Sequence, residues 1–209
     1  LHIGGTIIGA SRTNPFKDPG GPEKVLKNMR ILGLDALIAV GGEDTLGAAV
    51  KLYEMGLPVV GVPKTIDNDL SGTDFTFGFD TAVSTATDAI DRIHTTAESH
   101  NRVMVVEVMG RNAGWIATYS GIAGGADVIL IPEIPIDLDE VCDLILRRHS
   151  RGKSFSIVVV AEGAHFAEKP GANGELVLQE AQKDEFGHVR LGGISQVLAK
   201  AIEKRTKYE

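Results

Sequence analysis

Five short apolar runs constrain this chain more than any other feature: Ala36–Val40, Val59–Val62, Asn101–Val108, Val128–Ile131 and Ser156–Ala161. Each is rich in Val, Ile or Ala and is too short for a helix, so each is expected to be a buried strand. Between them lie stretches of helical period: Pro22–Leu32, Leu46–Met55, Asp80–Ser99, Trp115–Gly124 and Asp139–His149, with a last one at Leu191–Lys204. In Asp80–Ser99, for example, Ala82, Ala86, Ile90 and Ile93 share one face. Strands that alternate with such helices build mostly parallel sheets covered by helices on both faces. The expected fold class is therefore α/β.

Composition narrows the class further. The chain has 209 residues, of which 43% are apolar and 25 are Gly, which suits many tight strand-to-helix turns. A net charge of −7 argues against a nucleic-acid surface, so any positive charge that holds an anion must be local. No apolar run approaches the ~20 residues of a membrane span. The single cysteine, Cys142, can form no disulfide within the chain, and a cytoplasmic location without a secretory leader is expected. Leu1 stands in mid-pattern, so the chain is expected to be an internal part of a longer protein.

Open α/β sheets hold ligands at the carboxyl ends of their strands, and the polar residues of this chain gather there. After Val59–Val62 comes Pro63-Lys64-Thr65-Ile66-Asp67-Asn68-Asp69, with a cation, a hydroxyl and two carboxylates. Such a group can hold a phosphate, accept a proton from an alcohol and bind a metal; it can equally be an Asx-rich turn. After Ala36–Val40 comes Gly41-Gly42-Glu43-Asp44-Thr45. There the glycines open a turn, the next helix offers N–H groups to an anion, and the acids can hold Mg²⁺ or cap the helix. Arg111 follows the third strand in Met109-Gly110-Arg111, and Glu162 follows the fifth. An Arg can clamp a phosphate bidentately, as can Arg12 in the glycine-rich amino-terminal segment, and a carboxylate can bind sugar hydroxyls. The six histidines show no metal-ligand spacing, and His165–Arg190 reads as a polar surface excursion.

Taken together, Gly4-Gly5-Thr6 through Ser11-Arg12, Gly41–Thr45, Pro63–Asp69, Ser99-His100-Asn101-Arg102, Glu107–Arg111 and Glu162 resemble the 6-phosphofructokinase family in order and spacing. The resemblance implies two Rossmann-like three-layer αβα domains, both incomplete here. Residues 1–78 would belong to the phosphoryl-donor and Mg²⁺ domain, and residues 79–209 to the fructose 6-phosphate domain. It implies Asp67 as general base toward the sugar 1-hydroxyl, with Lys64 and Arg111 countering charge. Thr65, Ile66, Met109, Gly110, Arg111 and Glu162 would contact sugar and transferring phosphoryl group. Arg12, Gly42, Glu43, Asp44, Thr45 and Lys64 would meet the donor, with Mg²⁺ on Glu43 and Asp69. Arg102 would reach the sugar phosphate of a neighbouring subunit, which implies a homo-oligomer, dimer or tetramer.

The donor follows from two positions. Asp44 and Lys64 stand where ATP-using relatives commonly carry Gly, and the pair resembles the pyrophosphate-using branch. An Asp side chain fills the room a nucleotide's α-phosphate needs and repels it, while Lys64 offsets the added charge. ATP is the alternative donor. A non-catalytic phosphosugar-binding subunit should have lost the base or the metal acid, whereas Asp67, Asp69 and Glu43 are all present. A diacylglycerol- or NAD-type kinase shares only the Gly-Gly-acid turn.

Overall fold

A computed structural model describes residues 5–7, 9–11, 13–167, 178–183 and 189–209. They form two compact units, Leu1–Pro63 with Gln182–Val189, and Lys64–Ala181 with Arg190–Glu209. The division falls inside a strand, earlier than the change after Gly78 that the sequence suggested. The cause is local: Lys64 and Thr65 pair in parallel with Phe77 and Gly78, and Ile66 packs against the core of the second unit.

In the first unit, α1 (Gly21–Ile31) and α2 (Glu43–Glu54) accompany the parallel strands β1 (Leu37–Gly41) and β2 (Val59–Thr65). Leu37 pairs with Val59, and the register continues to Gly41 with Pro63. Met29, Leu52 and Leu57 form a small core with Phe16, Val25, Leu26, Leu37 and Val59.

The second unit contains β3 (Phe77–Gly78), α3 (Phe79–His100), β4 (Val103–Val108), α4 (Trp115–Ala123), β5 (Val128–Leu130), α5 (Leu138–Ser150), β6 (Ser156–Ala161) and α6 (Ile194–Thr206). Strands β4, β6 and β5 form a parallel sheet in that order. The alternation of side chains across a strand sorts the sheet into two cores. Ile157, Val159 and Ala161 face Phe79 and Ile90 of α3 and Ile116 and Ala117 of α4. Val158 and Val160 face Val141, Cys142 and Ile145 of α5 and Ile194, Leu198 and Ile202 of α6. This is the αβα sandwich anticipated from the strand–helix alternation, with β6 buried along its whole length.

Helix starts differ from expectation by a few residues, and one difference bears on the site. Helix α2 begins at Glu43 rather than Leu46, with Gly42 as its N-cap and no side-chain cap. Glu43 and Asp44 therefore stand in the first helical turn, where negative charge complements the helix dipole. Of the region 165–190, expected to be a polar surface excursion, residues 168–177 and 184–188 lie outside the described residues; the described part includes strand β7 (Leu178–Lys183), which pairs with β8 (Val189–Leu191).

No described helix is long and apolar enough to cross a membrane.

Candidate active site

Three carboxyl-terminal strand ends of the second unit bring the polar residues together. Strand β2 delivers Lys64 and Thr65 as its last residues, followed by Ile66, Asp67, Asn68 and Asp69. Strand β4 leads into Met109, Gly110 and Arg111. Strand β6, in register with β4 up to the pair Val108 and Ala161, leads into Glu162. The parallel pairing sets Glu162 beside the β4 turn: its N–H donates to the Val108 carbonyl at 2.8 Å.

Glu162 then reaches back. One of its carboxylate oxygens accepts the backbone N–H of Arg111 at 3.1 Å. Arg111 has φ 50°, in the left-handed region that a non-glycine residue enters at a cost of order 1–3 kcal/mol. It is held there from two sides. Its N–H is tied to Glu162, and its carbonyl lies against Gly163 so closely that a Cβ on Gly163 would sit 1.8 Å from the carbonyl oxygen. Gly110, at φ 141°, completes the turn. The Arg111 side chain is thereby presented from an exposed position at the strand end.

Asp67 is half-buried. Its backbone N–H donates to the Thr65 hydroxyl at 3.2 Å. Burial pushes its carboxyl above the usual carboxylate range; the nearby charge of Asp69 adds to this, while Arg111, the Thr65 hydroxyl and Lys64 pull the other way. Glu162 is raised as well, first by burial and in part by Asp67, against the nearby backbone N–H groups of Arg111 and Gly110 and the charge of Arg111. The mutual influence of Asp67, Asp69, Glu162, Lys64 and Arg111 defines one cluster of three carboxylates and two cations. A carboxylate whose pKa is raised by burial is a better proton acceptor when ionised, as a general base requires.

The other expected residues belong to other parts of the chain. Gly42, Glu43, Asp44 and Thr45 belong to the first unit, at the amino end of α2. There Thr45 packs tightly on Gly41, whose added Cβ would meet the Thr45 side chain at 2.5 Å. Arg12 lies outside the described residues. Arg102 precedes β4, at the opposite end of the strand from Arg111, and its guanidinium pairs with the Glu209 carboxylate at 2.8 Å. Within one chain it stands apart from the cluster.

Asp69 and Asp67 offer paired hard oxygen donors, and Glu43 offers another in the first unit. No group of three or more His, Cys, Asp or Glu side chains converges as a metal cage among the described residues. Mg²⁺ in phosphoryl transfer ordinarily takes one or two carboxylates and completes its shell with water and phosphate, so these donors fit Mg²⁺ in kind.

The family model described as phosphofructokinase matches residues 1–209. The chain belongs to the phosphofructokinase family. It is 59% identical, over all of its length and 60% of the relative's, to a Streptomyces coelicolor protein named pyrophosphate–fructose 6-phosphate 1-phosphotransferase. It is 54% identical, over all of its length and 59% of the relative's, to a Corynebacterium efficiens protein named ATP-dependent 6-phosphofructokinase. The chain thus spans about 60% of the length of these curated relatives. Among solved structures it is similar to the pyrophosphate-dependent phosphofructokinase of Marinobacter aquaeolei, with TM-score 0.76 and 26% identity, covering 98% of this chain and 49% of that one. The α/β fold expected from the sequence is that of this family.

Sequence reasoning gave no role to the side chains of Asn68, Thr76 and Glu107 or to Gly163. Asn68, Glu107 and Gly163 stand inside or beside the motifs, but what they touch is remote in sequence. Glu107, next to last in β4, accepts the N–H groups of Gly193 and Ser195 and the Ser195 hydroxyl at 2.8–3.1 Å. It caps α6 from a strand that no local pattern links to that helix.

Proposed function

We propose that the protein carrying this chain transfers a phosphoryl group from pyrophosphate to the 1-hydroxyl of fructose 6-phosphate, giving fructose 1,6-bisphosphate. The observation that carries the reading is the half-buried Asp67 at a strand end, in one charge cluster with Arg111 and Glu162. The proton of the 1-hydroxyl passes to the Asp67 carboxylate as the sugar oxygen bonds to phosphorus. The bond from phosphorus to the leaving phosphate oxygen breaks in line. Lys64 and Arg111 stabilise the charge that develops, as phosphoryl transfer demands. Glu162 holds sugar hydroxyls, and Thr65, Ile66, Met109 and Gly110 line the sugar and the transferring group. Arg102 serves the sugar 6-phosphate of a neighbouring subunit, so the working form is a homo-oligomer, dimer or tetramer, in the cytoplasm.

Glu43 and Asp69 are the residues that would hold Mg²⁺, which when bound neutralises donor oxygens. Arg12, Gly42, Asp44 and Thr45 meet the donor, which makes the first unit the donor side and the second the sugar side. Pyrophosphate is favoured because Asp44 brings a side chain and a negative charge to a position where a nucleotide's α-phosphate needs room, and Lys64 suits a short, highly charged donor. Such a reaction is close to reversible. ATP is the second reading, since relatives at 54% identity carry that name.

The test is an assay of fructose 1,6-bisphosphate formation by the full-length protein with Mg²⁺ and either pyrophosphate or ATP. Activity with pyrophosphate alone, and gain of ATP use in Asp44→Gly, is expected. Activity with ATP alone overturns the donor assignment. Asp67→Ser should lower kcat by ~10²–10⁴-fold, the usual contribution of a general base, and leave the KM for sugar nearly unchanged. Near-normal turnover in that variant overturns the assignment of Asp67.

A further inference from the structure

We infer that Asn68 and Thr76 are positioning residues for Asp67, forming a clamp that fixes Thr65 and Asn68, on either side of the base, to the segment before β3. This rests on the assignment of Asp67 as the base. Asn68 follows Asp67 directly and has φ 54°, in the left-handed region. Asn tolerates that conformation better than most residues because its short side chain can bond locally. Here the side chain bonds forward along the chain instead. Its Oδ1 accepts the Thr76 N–H at 2.9 Å, and its Nδ2 donates to the Asp74 carbonyl at 3.3 Å.

Thr76 is 4% exposed. Its hydroxyl has one proton, and the shorter contact takes it: Oγ1 donates to the Thr65 carbonyl at 2.9 Å, with Asn68 Oδ1 further away at 3.4 Å. Thr65 in turn receives the Asp67 N–H on its own hydroxyl. The base therefore hangs between two residues, each tied to Thr76. The parallel pairing of Lys64 with Phe77 and Thr65 with Gly78 holds the two segments in this register. Neither Asn68 nor Thr76 needs to touch substrate for this. Their effect is to keep the Asp67 carboxylate where an alcohol proton can reach it, and a misplacement of 1 Å can cost ~10²-fold in rate.

The variants are Asn68→Gly, which keeps access to positive φ but removes the clamp, and Thr76→Val, which keeps shape but removes the hydroxyl. Both are made in the full-length protein beside Thr76→Ser and Asp67→Asn. For Asn68→Gly and Thr76→Val we expect kcat to fall by about 10–100-fold, a partial form of the misplacement cost. The KM for fructose 6-phosphate should stay within about threefold, and amide hydrogen exchange across residues 66–69 should rise. Thr76→Ser should restore both kcat and exchange protection.

Normal turnover and protection in the two clamp variants, with Asp67→Asn inactive, overturns the clamp and leaves the base assignment standing. A parallel loss of thermal stability with unchanged kcat means a merely structural role and also overturns it. Turnover retained in Asp67→Asn removes the base, and with it the clamp's catalytic purpose. The exchange measurement tests the tethering itself without any turnover.

Discussion

In the β4–β6–β5 sheet, apolar side chains on both faces lie under helices, and every residue of β6 is buried. Among the described residues, those of β1 and β2 are covered on the Leu37 and Val59 face, whereas Ile38, Val40 and Val60 are 68%, 56% and 61% exposed. The same strand-turn-helix grammar thus gives a clamped sheet in one unit and a half-covered one in the other. The difference matters for chemistry. Arg111 and Glu162 stand at the edge of a framework fixed from both sides, where backbone strain such as that at Arg111 can be sustained, while Asp67 follows β2 of the other sheet. Small changes beside that strained turn should therefore have large consequences.

The largest expected effect is in the core. Ile157→Ala, in the 209-residue chain, should cost about 2–5 kcal/mol, as for other buried Ile truncations. Ile38→Ala should change stability by about 0.5 kcal/mol or less, as for exposed positions. Urea unfolding measures both. In the longer protein, a loss at Ile38 that matches Ile157 would show that the β1–β2 face is covered there, and the contrast between the sheets would disappear.

Next comes a pair of glycines. Gly163→Ala drives a Cβ into the Arg111 carbonyl, a backbone atom that can yield only by shifting the strained turn. A loss of kcat/KM on the order of 10²-fold is expected from such a displacement. Gly61→Ala in β2 meets only the end of the Leu46 side chain, at 2.9 Å, which can rotate away. It should leave kcat/KM within about twofold, since distant surface-side adjustments are usually small. Equal effects would mean that the tightness around Arg111 has no bearing on catalysis.

Ser195→Ala removes one of the donors to Glu107 at the start of α6. The expected loss is ~1 kcal/mol, typical of a helix-cap hydrogen bond, seen as a lower melting temperature with kcat preserved.

The smallest effect is on pH dependence. Asp67 and Glu162 both have pKa values raised by burial. For such groups the folded state binds protons more tightly than the unfolded chain. Their contribution to stability is present below the usual carboxylate range and is lost as pH rises through the raised values. The double variant Asp67→Asn, Glu162→Gln should therefore gain on the wild type in melting temperature from acid to neutral pH. The same shift places the acid limb of kcat/KM for the wild type above the usual carboxylate range. A limb within that range would remove burial of Asp67 as a factor in catalysis.

Much of the fold was legible in the chain itself. Apolar runs of four to eight residues ending in glycine turns, each followed by a helical period, fix the order of strands and helices because both periods are local properties. The motifs also place Lys64, Thr65, Asp67, Arg111 and Glu162 at strand ends, since a turn after a strand is visible in the residues that make it. Family membership follows from the same residues in their order. What only the tertiary structure decides is which of these ends meet. The Arg111 N–H finds Glu162 fifty-one positions away, and Ser195 finds Glu107 across eighty-eight. Asn68 and Thr65 are tied through Thr76, and Arg102 turns to Glu209 at the far end of β4. Each of these bonds depends on parallel register and on packing across a sheet. Those arise from burial of the whole core, and no local preference of the residues involved encodes them.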